Sequence, residues 1–322
     1  MPSCLGYDSA VARRQRTPAM ADEPPFRKEI EFVYGEAKEL APGIVRLVAN
    51  NPSPFTYKGT NTYIVGQGRE IMLIDPGPAD ATHLAAILRT IGDRTLTHIV
   101  ITHTHHDHVD GLPALLERTG AKTAGFGRAV AQPGKTRASP AGGEYVESDF
   151  KPDVVMRDGD RLAGEGFSFQ ALHTPGHAPD HLCFALEGMK LFFSGDHVMG
   201  WNTSVVAPPE GSMAAYLAAL ERLLDRDDEI YFPGHGGRVY QPQRLVKAYV
   251  LHRRMREQSI VECIRNGKTT IPEIVAVIYR GLDPRLVKAA SLSVAAHVEH
   301  LVERGLVRCE GPLFDPEHLS VT

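Results

Sequence analysis

Two packed β-sheets with helices outside them, followed by a small helical unit, is the α+β architecture this sequence predicts. Three observations carry it. Short β-branched or aromatic runs of strand length recur between residues 43 and 232, interrupted by stretches of helical spacing. Four of these runs end in loops that hold a His or an Asp, so the loops are expected to gather at one edge of the sheets. Beyond residue 240 capped helices take over.

Taken in order, residues 1–25 read as a disordered extension. Arg13, Arg14 and Arg16 flank nothing apolar enough for a signal peptide, and Met20 offers an alternative start. Residues 43–48 read as a strand, and 60–65 with 71–75 as a hairpin around Gly66 and Gly68. Residues 79–91 have helical spacing (Leu84, Ile87, Leu88, Ile91) and stop at Gly92. A buried strand at 99–101 leads to a short helix at 112–118. Residues 123–150 are rich in Gly, Ala, Pro and charge, which predicts a long surface loop. Strands resume at 154–156, 167–172, 182–186 and 190–193. A helix over 213–224 has Ser212 as its N-cap, and 229–232 is the last strand of this part.

In the remainder a long helix opens at 251–258. Thr270 and Glu273 form a capping box with Pro272 in the first turn. Asp283-Pro284 starts another helix, continued over 291–304, and 306–308 reads as a short wing strand. The expected domains are therefore 26–240 and 241–322, the second winged-helix-like.

Composition narrows the function classes. The hydrophobic share of 43 % is ordinary for a globular chain. No apolar run approaches the roughly 20 residues that span a bilayer, so no membrane role is expected. A net charge of −4 gives no global pull toward nucleic acid. Cys4, Cys183, Cys263 and Cys309 are scattered without a C-x-x-C pair, which points to a reducing, cytoplasmic setting.

The chemistry is concentrated in His103, His105, Asp107 and His108, spaced H-x-H-x-D-H directly after the strand at 99–101. Imidazole and carboxylate are the ligands a borderline cation such as Zn2+ prefers. Residues two apart on an extended segment point the same way, so His103 and His105 can close on one ion. Asp107 and His108 follow as the chain turns and can face a second. A histidine-rich surface loop would not be followed by further ligand types in the same context. Here His177, Asp196 and His235 each follow a short apolar strand and a Gly. Asp75, at a strand end before Pro76-Gly77, suits a partner that orients a ligand His.

Together these motifs resemble the signature of the metallo-β-lactamase superfamily, with Asp75 as its first motif. The resemblance implies an αββα sandwich with a dimetal site at the sheets' loops. It implies one metal on His103, His105 and His177, a second on Asp107, His108 and His235, and Asp196 bridging them. Departures discriminate within the superfamily. True β-lactamases commonly carry Cys where this chain has Asp196, and flavodiiron proteins an acid where it has His105. Only 38 residues separate Asp196 from His235, which leaves no room for a β-CASP domain. The long arm of tRNA 3′-processing enzymes is not evident. The C-terminal arrangement, with H-R-x-x-R-E-Q from His252, resembles the β-lactamase-like protein 2 group of endoribonucleases.

Two divalent ions, Zn2+ foremost, would activate a bridging water as hydroxide and polarise a carbonyl or phosphoryl oxygen. Asp107 would orient that hydroxide and later carry a proton. The subgroup resemblance implies single-stranded RNA as substrate. Arg253 and Arg254 could then meet phosphates, His181 a phosphate or leaving group, and Tyr57 and Trp201 a base. A glyoxalase II-like thioesterase or lactonase acting on a small molecule uses the same metal set. A nucleic-acid-binding protein with structural metals is the third reading. It is disfavoured because structural sites close on one ion with four ligands, whereas seven ligands for two ions leave positions open. A homodimer is the default expectation for an oligomer.

Overall fold

A computed structural model describes residues 24–127, 150–313 and 318–322. The first sheet holds β1 (Lys38–Ala41), β2 (Ile44–Val48), β3 (Asn61–Val65), β4 (Glu70–Ile74), β5 (Thr95–Val100), β6 (Lys122–Gly125) and β7 (Val154–Val155), side by side in chain order. The pairs from β1 to β4 are antiparallel and those from β4 to β7 parallel. Parallel neighbours need crossovers. They are α1 (Ala81–Ile91) between β4 and β5, and α2 (His106–Val109) with α3 (Leu112–Thr119) between β5 and β6.

The second sheet runs β8 (Arg161–Gly164), β9 (Phe167–His173), β10 (Leu182–Leu186), β11 (Leu191–Gly195), β12 (Ile230–Pro233) and β13 (Val239–Tyr240). Only β11 and β12 are parallel, and α4 (Met213–Leu224) joins them.

Period-two alternation sorts the side chains into layers. Tyr63, Ile74 and Val100 of the first sheet meet Phe184, Phe193 and Phe232 of the second in one buried cluster. Their strand neighbours face outward. Ile64, Leu73 and Ile99 pack on α1 and α3. Cys183, Phe192 and Tyr231 pack on α4 and the first half of α5 (Pro242–Arg265). Each large aromatic in the central layer contributes roughly 1.5–3 kcal/mol by leaving water. The result is the four-layer αββα sandwich.

The second half of α5 enters a separate core. Ile260 and Ile264 pack there with α6 (Ile271–Ile278), α7 (Val287–Glu303) and the hairpin of β14 (Val307–Glu310) and β15 (His318–Val321). The capping box at Thr270 and Glu273 is formed, and Ser212 caps α4 by accepting from Ala215 N. The boundary expected after residue 240 falls at the start of α5, whose 24 residues serve both cores. No helix among the described residues is long and apolar enough to cross a membrane.

Several local expectations need correction. The long helix begins at Pro242, nine residues before the expected opening, because Leu245, Val246 and Tyr249 already pack on the second sheet. The loop expected over 123–150 loses its first residues to β6, which pairs with β5 and β7; residues 128–149 lie outside the described residues. Of the extension expected over 1–25, residues 1–23 likewise lie outside them, but Pro24 is buried, and Phe26 beyond it stacks edge-on against Tyr249.

Candidate metal centre

Every ligand-type side chain sits just beyond the C-terminal end of a strand. His103 and His105 follow β5, and the one-turn helix α2 then carries Asp107 and His108. His177 lies between β9 and β10, Asp196 directly after β11 and His235 after β12. Two glycines permit the crowding. Gly195 has φ +47°, and a Cβ there would stand 2.6 Å from Nε2 of His181. A Cβ on Gly234 would stand 2.3 Å from Oδ1 of Asp196.

Second partners decide which imidazole nitrogen faces inward, because carbonyls and carboxylates only accept. His177 Nδ1 donates to Val205 O at 2.6 Å, and His235 Nδ1 donates to Gly59 O at 3.2 Å. His108 Nδ1 donates to Asp75 Oδ2 at 2.8 Å. Thr102 Oγ1 donates to the same carboxylate at 2.7 Å and is thereby left to accept from His103 Nδ1 at 3.0 Å. Four Nε2 lone pairs therefore point into one space.

That space is hostile unless a cation fills it. Nε2 of His103 and Nε2 of His177 both lie 3.0 Å from Nδ1 of His105, and one N–H cannot serve two acceptors. Nε2 of His108 and of His235 are 3.4 Å apart. Asp107 Oδ2 is 3.2 Å from His235 Nε2 and 3.5 Å from His108 Nε2. Asp196 reaches both groups, with Oδ2 3.2 Å from His235 Nε2 and 3.7 Å from His177 Nε2. Among the described residues its buried Oδ1 has no hydrogen-bond partner. Three overlapping triads have ligand atoms within 4.8 Å of one another: His103, His105 and His177; His103, His108 and Asp196; Asp107, His108 and His235. The donor set fits two divalent ions.

The electrostatics divide the same way. Burial holds His103 well below the ordinary imidazole value and takes His105 to about 3, so both stay neutral. Burial also opposes charge on His235, but Asp196 and Asp107 outweigh it and push it up to about 10. His108 is raised likewise, burial being overcome by Asp107, Asp196 and Asp75. In the metal-free chain protons stand where cations would.

Further residues brace the site. Asp75 holds φ +52° and accepts from Thr102 N and Oγ1 and from His108. Thr60 Oγ1 donates to Asp107 Oδ2 at 2.9 Å, while Asn51 donates to that hydroxyl at 3.0 Å and accepts from Thr60 N at 2.9 Å. Asp180 accepts from Thr104 N and Oγ1 between the first two histidines. Sequence reasoning missed Thr60, Asn51, Thr102 and Asp180. The signal available for Thr102 and Asp180 was adjacency to His103 and His181; Asn51 carried none.

The candidate substrate contacts fare differently. His181 is fully buried: it donates from Nδ1 to Thr174 Oγ1 and accepts from Asp196 N at 3.1 Å, so it braces Asp196 and is out of a substrate's reach. Arg253 is also withdrawn. It is 3 % exposed, donates to Ser204 O beside the carbonyl that orients His177, and lies over Tyr216. Arg254 is exposed and paired with Glu221. Tyr57 and Trp201 stack on each other, with centroids 4.9 Å apart. They flank His235: Trp201 covers Gly236, and Tyr57 precedes Gly59 by two residues.

The model of the metallo-beta-lactamase superfamily matches residues 56–235, and that of the beta-lactamase associated winged helix domain matches residues 270–312. The beta-lactamase-like protein 2 homolog of Drosophila melanogaster is 32 % identical over 276 residues, covering 84 % of this chain and 91 % of its own length. An atrochrysone carboxyl ACP thioesterase of Aspergillus chevalieri is 32 % identical over 255 residues, 76 % of this chain and 75 % of its own. Among solved structures, a metallo-beta-lactamase family protein from Thermus thermophilus matches with TM-score 0.71 and 23 % identity, covering 88 % of this chain and all of the other.

Proposed function

The chain belongs to the metallo-beta-lactamase superfamily, and from that premise we propose that it is a dinuclear-metal hydrolase that cleaves an ester or thioester. The observation that carries the reading is the convergence of four Nε2 lone pairs and two carboxylates on one space. His103, His105 and His177 would hold one ion, Asp107, His108 and His235 the other, and Asp196 would touch both; Zn2+ suits this N/O donor set. Bound there, the two ions supply Lewis acidity and a water acidic enough to attack at neutral pH.

The chain's own residues do the rest. Asp75, Val205 O and Gly59 O hold the ligand imidazoles in the neutral tautomer that presents Nε2. Asp107, only partly buried and steadied by Thr60, is the group able to orient the attacking water and carry its proton to the leaving group. Thiolate and alkoxide leaving groups need that proton to different degrees, so loss of Asp107 should hurt esters more.

The thioester reading draws on the relatives named as thioesterases and on the withdrawal of Arg253 and His181 from the surface. The reading as an endoribonuclease on single-stranded RNA draws on the aromatic pair flanking His235. A direct test is to measure metal content and hydrolysis of a short acyl thioester panel and of a labelled single-stranded RNA, beside an Asp196→Ala variant. Thioester turnover that disappears with the variant's metals supports the first reading. RNA cleavage lost in the variant, with thioesters untouched, moves it to the second. A chain that binds fewer than about two ions, or turns over equally without them, sinks the dinuclear mechanism.

A further inference from the structure

A second charged feature lies beside the centre, and the chemistry so far does not use it. Arg27, Arg238 and Arg244 line one small cleft of about 100 Å3, together with Pro25, Gly200, Tyr240 and Gln241. Among the described residues no carboxylate lines it. Arg27 and Arg238 stand over the ring of Tyr240, at 5.9 and 5.4 Å. Arg238 spends one guanidinium N–H on Leu40 O. Among the described residues, neither Arg27 nor Arg244 has an ion-pair partner. Glu31, whose charge Arg238 senses, is itself held by Lys38. Three arginines lining one cleft repel one another, Glu31 being shared with Lys38, and an anion relieves that cost.

The fold brings them together from three places. Arg27 rides on residues 24–34, which cross the sandwich without regular structure and are tied down by Arg27 N to Gly200 O at 2.8 Å and by Tyr57 OH to Lys28 O at 2.6 Å. Arg238 precedes β13, and Arg244 lies in the first turn of α5. Chain neighbours link the cleft to the centre. Gly200 lines it, Trp201 follows directly, and Trp201 rests on Gly236, the residue after His235.

We propose that the Arg27–Arg238–Arg244 cleft binds a phosphate group on the nucleotide portion of the substrate, remote from the hydrolysed bond. Arginines supplied by three separate segments can each offer a fork to a tetrahedral dianion, whereas a carboxylate is served by one fork. The aromatic pair between cleft and centre offers a face for a planar group. The assignment rests on the hydrolase reading only for which bond is cut. Two substrates share this chemistry: a coenzyme A thioester, through its phosphorylated adenosine, and an RNA strand, through its backbone.

Trp201 is the sole tryptophan of the chain, so its fluorescence reports on the wall between cleft and centre without turnover. The experiment titrates the full chain with adenosine 3′,5′-bisphosphate, with a short oligoribonucleotide and with unphosphorylated adenosine, comparing wild type with Arg27→Ala/Arg244→Ala. Both arginines are exposed, so the double variant is expected to fold; near-UV circular dichroism checks it. The expected result is a saturable response to a phosphorylated probe that needs about tenfold more ligand or higher in the variant, with none to adenosine. Response to the bisphosphate alone assigns a coenzyme-type substrate, and response to the oligonucleotide assigns RNA. Equal titrations in wild type and variant, or no response to either phosphorylated probe, overturn the proposal. Since no bond is cut, either result stands whether or not the thioester assay succeeds.

Discussion

The molecule buries two clusters of imidazole and carboxylate, and they are built on opposite logic. At the metal centre, the Nε2 atoms of His103, His108, His177 and His235 and oxygens of Asp107 and Asp196 crowd one space, and in the metal-free chain protons on His108 and His235 stand in for cations. Between α5 and α7, Glu257 is matched instead. Its Oε1 accepts from His300 Nδ1 at 2.7 Å and its Oε2 from Arg304 at 3.1 Å, while Nδ1 of the fully buried His297 stands 3.6 Å away. There the carboxylate is satisfied and joins helices, although among the described residues both ring nitrogens of His297 lack a hydrogen-bond partner. An unsatisfied cluster, maintained by hydrogen bonds that hold it unsatisfied, is poised for a ligand. Residue type alone would not separate the two; donor and acceptor accounting does.

The comparison can be broken most sharply at Glu257. Glu257→Ala leaves Arg304 and His300 without their acceptor and should lower stability by about 2–3 kcal/mol, with metal content unchanged. Denaturant melts and metal analysis on one sample check this, and loss of metal would merge the two clusters. Asp75→Asn should do the reverse. It replaces the acceptor that orients His108 and should weaken metal binding by roughly 10–100-fold, as read by competition with a chelator.

Acid should also tell them apart. His235 is raised to about 10 in the metal-free chain, so a bound cation must displace its proton at any lower pH. Apparent metal affinity should therefore fall about tenfold per pH unit for each proton displaced, starting well above neutrality. At Glu257 burial raises the carboxyl, but His297 and His300 more than offset it, and the net shift is below the ordinary 4.5. Its contribution is complete above 4.5 and is lost only as pH falls through the lowered folded value. Metal release preceding any change in the melt is the expected order. The smallest effect is at Thr60. Thr60→Val removes one hydrogen bond to Asp107, about 1 kcal/mol, and Thr60→Ser should restore it; calorimetric metal titration reads the difference.

Local rules carried most of the fold. Period-two runs, the Ser212 cap, the capping box at Thr270 and the Gly stops lie within a few residues of what they govern, so the strands of both sheets and α1, α3, α4 and α6 were legible. The short strands β1, β6, β8 and β13 were not, because pairing with a neighbour rather than composition makes them strands. The start of α5 was hidden because Leu245, Val246 and Tyr249 declare a helix only against the second sheet.

At the centre, the sequence alone determined which seven side chains have ligand chemistry and that strand-end loops present them, since both follow from residue type and local spacing. It could not determine which nitrogens face inward, that Thr60 and Asn51 hold Asp107, or that Arg253 and His181 are interior. Those depend on partners far along the chain: His235 takes its tautomer from Gly59, 176 positions away, and Asp107 its hydrogen bond from Thr60, 47 away. The arginine cleft likewise exists only once residues 24–34 lie across β13 and the first turn of α5. Hydrogen-bond direction and burial are properties of packed surroundings, and only the tertiary structure supplies those.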